Sequence, residues 1–163
     1  MASTFEIITI NNALQETTLR TVSEPIIKLD KIHKKLIEKM KKTLTKEKTG
    51  VGLAAPQVGK NLRIIVAVLG KKTIVFINPE IITHSETTNQ DEEGCLSIPK
   101  MFGTVERWNK IELKFYDEKF SLKTRILTDF DARIVQHEID HLDGILFTDK
   151  VIGELETELD SEH

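Results

Sequence analysis

The chain holds a single cysteine, Cys95, and no apolar run near the roughly 20 residues that a membrane-crossing helix needs. One thiol cannot form a disulfide within the chain, which excludes a disulfide-stapled secreted scaffold. Cys95 is therefore a buried apolar thiol, a nucleophile or a metal ligand. Charge of either sign is not in excess: the net charge is -3, with Lys, Arg, Asp and Glu spread along the chain. That balance announces neither a nucleic-acid groove nor a membrane-binding surface. The start MASTFEIITI lacks a basic leader with an apolar stretch behind it and lacks an Arg-rich amphipathic leader. The expected location is the cytoplasm, or an organelle if a targeting segment has been removed. There is no internal repeat and no low-complexity tract. The 163 residues, 39% hydrophobic and 30% charged, suit one globular domain over 1–163, with the acidic end from about 153 expected to fray.

Periodicity places the first helix at residues 30–44, with Asp30 as N-cap and Ile32, Leu36, Met40 and Leu44 as an inward stripe. Lys31, Lys34, Lys35, Lys39, Lys41 and Lys42, with His33 among them, fall on the solvated side. LRIIVAVL (62–69) and TIVFIN (73–78) read as a β-hairpin, with Asn78-Pro79 closing the second strand. Ile111, Leu113 and Phe115 alternate with polar residues as in a half-buried strand, and a return strand starts at Phe120 and Leu122 beyond a turn at Asp117–Lys119. A second helix runs from near Thr128, at capping-box spacing from Asp131, to a stop at Gly144. Phe130, Ile134, His137 and His141 share one inward stripe of that helix.

The helix carries H-E-x-x-H, residues 137–141. Residues four apart face the same way, so both imidazoles can hold one ion while Glu138 reaches a water beside it. Two imidazoles leave a catalytic site one protein ligand short. The metzincin frame asks for a third His where Phe147 stands, and the gluzincin frame has only Glu154, Glu156 or Glu158 of the acidic end to offer. Cys95, preceded by Gly94, completes the count, because a thiolate with two imidazoles suits zinc or iron. The stretch GVGLAAPQVG (50–59) fits G-x-G-x-x-A superficially, but it follows LTKEKT instead of an apolar strand, so no dinucleotide site is expected. Its glycines allow close backbone approach, and Gln57 offers an uncharged donor to a developing oxyanion.

Together GVGLAAPQ, EGCLS and QHEIDHLDG resemble, in order and approximate spacing, the three motifs of peptide deformylases. The resemblance runs from near Ile8 to Val151. It implies an α+β fold in which antiparallel β-sheets pack around a central helix carrying the H-E-x-x-H motif. It further implies Cys95, His137 and His141 as metal ligands, Glu138 as acid/base, and Gln57 with the Leu96 N–H as oxyanion donors. Val51, Gly52, Gly94, Phe130, Arg133 and Ile134 would contact the substrate. Glu93 and Arg107 are expected to pair near the thiolate, with Asp140 behind the ligands. The implied reaction removes the formyl group from the N-terminal methionine of new polypeptides and releases formate. The implied cofactor is one divalent ion, natively Fe2+, with Zn2+, Ni2+ or Co2+ as substitutes. The implied partners are N-formylmethionyl peptides and nascent chains, with transient ribosome contact by a monomer and no membrane or specific nucleic-acid binding. The chain differs from the common family pattern at Asp129, where Gly is usual, and at Asp91, where an apolar residue is usual. Two other readings stay open: a metallopeptidase, and a closed metal-sensing site drawing on His33, His84 or His163.

Overall fold

The elements in chain order are helix α1 (Ala13–Arg20), helix α2 (Lys31–Lys46), strands β1 (Gly52–Ala54), β2 (Ile64–Leu69), β3 (Lys72–His84), β4 (Thr88–Cys95), β5 (Ile98–Trp108), β6 (Lys110–Tyr116) and β7 (Leu122–Thr128), helix α3 (Asp129–Leu142) and strand β8 (Val151–Thr157). The computed structural model describes residues 3–157. All strand pairings are antiparallel, in a five-stranded sheet ordered β1-β2-β3-β6-β7 and a three-stranded sheet ordered β4-β5-β8. This is the expected α+β arrangement, with α3 at its centre.

Strand β2, IIVAVL, is apolar throughout because both of its faces are covered. Ile65, Ala67 and Leu69 join the cluster containing Ile134, Val135 and Ile139 of α3, while Ile64 and Val66 join that of Leu36, Ile37 and Met40 of α2. Ile111, Leu113 and Phe115 of β6 alternate inward to the α3 side, as their spacing predicts. A third cluster, of Leu19, Ile98, Val105, Leu146 and Phe147, lies under the smaller sheet. The two histidines of α3 thus sit on a helix fixed against a sheet, with the second sheet brought over them.

Several boundaries differ from the sequence reading. Asn78-Pro79 does not end β3; Asn78 adopts φ 51° at a bulge, and the strand continues to His84. The Asn78 amide accepts from the Ile26 N–H at 2.8 Å and donates to the Ile26 carbonyl at 2.7 Å, which supports the irregular backbone. Ile32 is 76% exposed, because on a 3.6-residue wheel it lies at the rim of the face made by Leu36, Ile37, Met40, Thr43 and Leu44. His33 is not idle: its Nδ1 accepts the Asp30 N–H at 3.3 Å while Asp30 caps the Ile32 and His33 amides. Residues 153–157 are not frayed, since β8 pairs with Met101–Val105 of β5; residues 158–163 lie outside the described part.

Helix α3 begins without the Thr128 side-chain cap, because Thr128 is still the last paired residue of β7. Asp129 then turns the chain with φ 52°, in the left-handed region that favours glycine, and its N–H donates to the Asn109 carbonyl at 2.8 Å. Asp129→Gly is expected to raise stability by about 1 kcal/mol, read as a higher thermal midpoint. A lower midpoint would show that the carboxylate's attraction to the helix N-terminus outweighs the backbone strain. At the other end Gly144, with φ 74°, closes α3 as expected. The Ile145 N–H bonds to the Asp140 carbonyl and the Gly144 N–H to that of His141.

Candidate metal centre and active site

His137 and His141 stand one turn apart on α3, with ring centroids 5.1 Å apart. Cys95 comes from the end of β4, just before the tight Leu96–Ser97 connection to β5, and its Sγ lies 3.2 Å from His141 Nε2. One ligand atom from each of Cys95, His137 and His141 lies within 4.8 Å of the other two. Glu93, two residues before Cys95 on the same strand, faces the same side. It meets His137 Nδ1 at 2.8 Å and so turns that ring's Nε2 away from itself.

Behind the histidines lies a buried ionic cluster. Arg107 donates to both Glu93 oxygens, from Nε at 2.9 Å and Nη2 at 2.8 Å, and to Asp140 at 2.5 Å from Nη1. Lys150 donates to Asp140 at 3.1 Å. Arg133, expected only to line a pocket with its stem, donates to Glu93 Oε2 at 2.5 Å and to the Val105 carbonyl at 3.0 Å. Burial alone would push the Glu93 carboxyl up, but the Arg107 and His137 hydrogen bonds hold it well below the usual carboxylate range.

Glu138 is in a different environment. It is 5% exposed, its Oε1 has no hydrogen-bond partner among the described residues, and burial pushes its carboxyl up to about 7. A Cβ at Gly52 would stand 2.7 Å from Glu138 Oε2, so only glycine lets β1 pass this close. Burial also acts on the two imidazoles, which part company. Hydrogen bonds to Cys95 and Glu93 overcome it at His137 and raise that pKa, whereas at His141 burial and the charge of His137 lower it.

Gln57 enters from the 3-10 turn Ala55–Val58 that follows β1. Its Oε1 accepts the Ala54 N–H at 3.0 Å, so its Nε2 points to Ser97 Oγ at 3.2 Å and Cys95 Sγ at 3.6 Å. A cavity of about 400 Å³ opens here, lined by Gln57, Cys95, Leu96, His137 and Glu138. Val51, Gly52, Gly94, Phe130, Arg133 and Ile134 line it as well. Phe130 is 57% exposed, at the rim and not in the core stripe where periodicity put it, because it stands in the first turn of α3.

Residues 5–156 match the family model for polypeptide deformylase. The chain belongs to the polypeptide deformylase family. It is 44% identical over 148 residues to a peptide deformylase of Prochlorococcus marinus (strain NATL1A), covering 88% of this chain and 73% of the relative. The crystal structure of peptide deformylase from Thermotoga maritima superposes with a TM-score of 0.86 at 37% identity, covering 92% of this chain and 99% of that one. A Met-Ala-Ser-bound class I type b peptide deformylase from Acinetobacter baumannii gives 0.84 at 30% identity, over 93% and 100%. The activity of this family is removal of the formyl group from an N-terminal methionine, and it is the activity of this chain.

The residues present fit the divalent ion of a deformylase. Three soft or borderline donors converge, one imidazole is oriented by a carboxylate, and the buried Glu138 oxygen lacks any partner among the described residues. The rival donors do not converge. Phe147 is core, 1% exposed, and Glu154 and Glu156 are exposed on β8. His33 caps α2 and His84 stacks on Trp108 with centroids 3.8 Å apart. Glu158 and His163 lie outside the described residues. Sequence reasoning gave no role to Ser97, the last residue of EGCLS, which is fully buried and anchors Gln57, and it missed the Arg133 ion pair, whose partner is distant in sequence.

Proposed function

We propose that Cys95, His137 and His141 hold one divalent ion, ferrous iron natively, with zinc, nickel or cobalt able to replace it. When bound, the ion supplies Lewis acidity that makes water a nucleophile near neutral pH. Glu138 takes the proton from that water and later delivers it to the leaving amine. The observation that carries this role is its buried carboxyl, with a pKa of about 7 and an Oε1 that has no partner among the described residues, in the wall of the cavity. Gln57 Nε2 and the Leu96 N–H donate to the formyl oxygen as charge develops there. Backbone groups of Val51 and Gly52 hold the peptide as a strand beside β1, and Gly94, Phe130, Ile134 and the stem of Arg133 surround the methionine side chain. The Met-Ala-Ser ligand of the Acinetobacter relative supports a first residue of that kind.

The enzyme acts on nascent chains, and it does so as a monomer. Its place is the cytoplasm of a bacterial-type cell, in keeping with its bacterial relatives. No helix among the described residues is long and apolar enough to cross a membrane. Transient ribosome contact fits the exposed Lys31, Lys34, Lys35 and Lys42 of α2; Lys41 is engaged by Glu38 and Glu118, and Lys39 lies over the Phe5 ring. The test is hydrolysis of formyl-Met-Ala-Ser beside acetyl-Met-Ala-Ser by ion-loaded protein kept from oxygen. The expected products are formate and Met-Ala-Ser from the first peptide and nothing from the second. Cleavage of the Met-Ala bond would favour a metallopeptidase, and no reaction with either would favour a metal-sensing site.

A further inference from the structure

Glu93 accepts two hydrogen bonds on each oxygen. Oε1 takes Arg107 Nη2 and His137 Nδ1, both at 2.8 Å, and Oε2 takes Arg107 Nε at 2.9 Å and Arg133 Nη1 at 2.5 Å. Two guanidiniums and one imidazole therefore share a single carboxylate that is 7% exposed. Arg107 is itself divided, because its remaining Nη1 goes to Asp140. Arg133 is not divided between carboxylates: its other bonds go to the Val105 carbonyl at 3.0 Å and to the Asn89 carbonyl and Oδ1 at 2.9 and 2.6 Å. It stands four residues before His137, on the same side of α3.

We propose that Arg133 is a positioning residue for the metal centre, an inference that rests on His137 being a metal ligand. Arg133 pins Glu93 Oε2 to α3 one turn from the ligand, which leaves Oε1 fixed on the His137 Nδ1 hydrogen. That bond sets the tautomer and directs the Nε2 lone pair toward Cys95 and His141. Because the guanidinium fork is also bonded to β4 and β5, the strand that carries Cys95 and the helix that carries the histidines are registered to each other through one side chain. Without Arg133, Glu93 keeps Arg107 and the His137 hydrogen bond but loses the bond that holds its Oε2 to α3, and the imidazole gains freedom to turn with the carboxylate. Arg133 also lines the cavity, so turnover with substrate cannot separate this role from substrate contact.

The rate at which Co2+ is lost to an excess of chelator, followed by the visible absorption of the bound ion, reads the role directly. Arg133→Met keeps the stem and removes the fork; it is expected to release Co2+ about 10-fold faster than the parent and to shift the Co2+ spectrum. Arg133→Lys keeps the charge without the fork and is expected to fall between the two. Asn89→Ala loosens the grip on β4 but leaves the Arg133–Glu93 bond, and its release rate is expected to match the parent's. Parental release by Arg133→Met, with only a lower thermal midpoint, would reduce Arg133 to a structural clamp and overturn the inference. Equal acceleration in Asn89→Ala would overturn it too, by showing general loosening. If Arg133→Met does not fold, Arg133→Lys against Asn89→Ala decides the matter by the same criterion. Parent protein that binds no Co2+ would instead overturn the metal reading itself.

Discussion

Glu138→Gln is expected to lower kcat for formyl-Met-Ala-Ser by about 10³-fold, with KM changed no more than a few-fold and the bound ion retained. The size follows from the two proton transfers assigned to this group, since positioned acid–base catalysis contributes about 10²–10⁴. Glutamine keeps the volume against Gly52, where any added Cβ would meet Glu138 Oε2 at 2.7 Å, and so preserves the approach of β1 to α3. It cannot take a proton from water. The ion should stay because the converging donors are Cys95, His137 and His141, and Glu138 is not among them. Steady-state kinetics with metal content measured on the same samples checks this. Activity within about tenfold of the parent would remove Glu138 from the chemistry, and loss of the ion would make it a ligand.

Glu93→Gln is expected to produce the largest loss of stability of any single substitution in the site, about 3–5 kcal/mol by denaturant unfolding. The carboxylate is the partner of Arg107 and Arg133, which are 3% and 4% exposed, and of His137. The amide has the same shape but is neutral, and its NH2 would face donors it cannot accept from. Asp140 still neutralises part of the Arg107 charge, whereas Arg133 retains only carbonyl and amide acceptors. A loss below about 1 kcal/mol would mean that water or backbone movement replaces the carboxylate, and the cluster would then be of little structural weight.

The parts legible in the sequence were those whose signal is local. H-E-x-x-H carries its own geometry, because helical spacing alone brings His137 and His141 to one side of α3. The alternation of Ile111, Leu113 and Phe115 likewise declares a strand with one buried face, and Asp30 declares the start of α2. Cys95 became legible by counting ligands, and its nearness to His141 agrees with the ligand set that the resemblance to deformylases implies. What was hidden depends on pairings across the chain. β4 is built from polar residues, TNQDEEGC, whose pattern declares no buried face, and it becomes a strand only because β5 lies beside it. β8 was taken for a loose acidic end for the same reason: its exposed glutamates obscure a strand that is held by backbone bonds to β5. Arg133 looked like a pocket-lining stem because nothing in the sequence tells that Glu93, forty residues earlier, will accept its guanidinium. Asp129 was visible as a departure from glycine, and the φ of 52° gives the physical reason why glycine suits that turn.

The most direct measurement is a titration of ion-free protein with Fe2+ under exclusion of oxygen, with formate release from formyl-Met-Ala-Ser followed at each addition. A centre made by Cys95, His137 and His141 predicts no activity at the start, a linear rise, and saturation at one equivalent per chain. Full activity in ion-free protein, or an unchanged titration after Cys95→Ala, would contradict the assignment of these three side chains as the catalytic metal site.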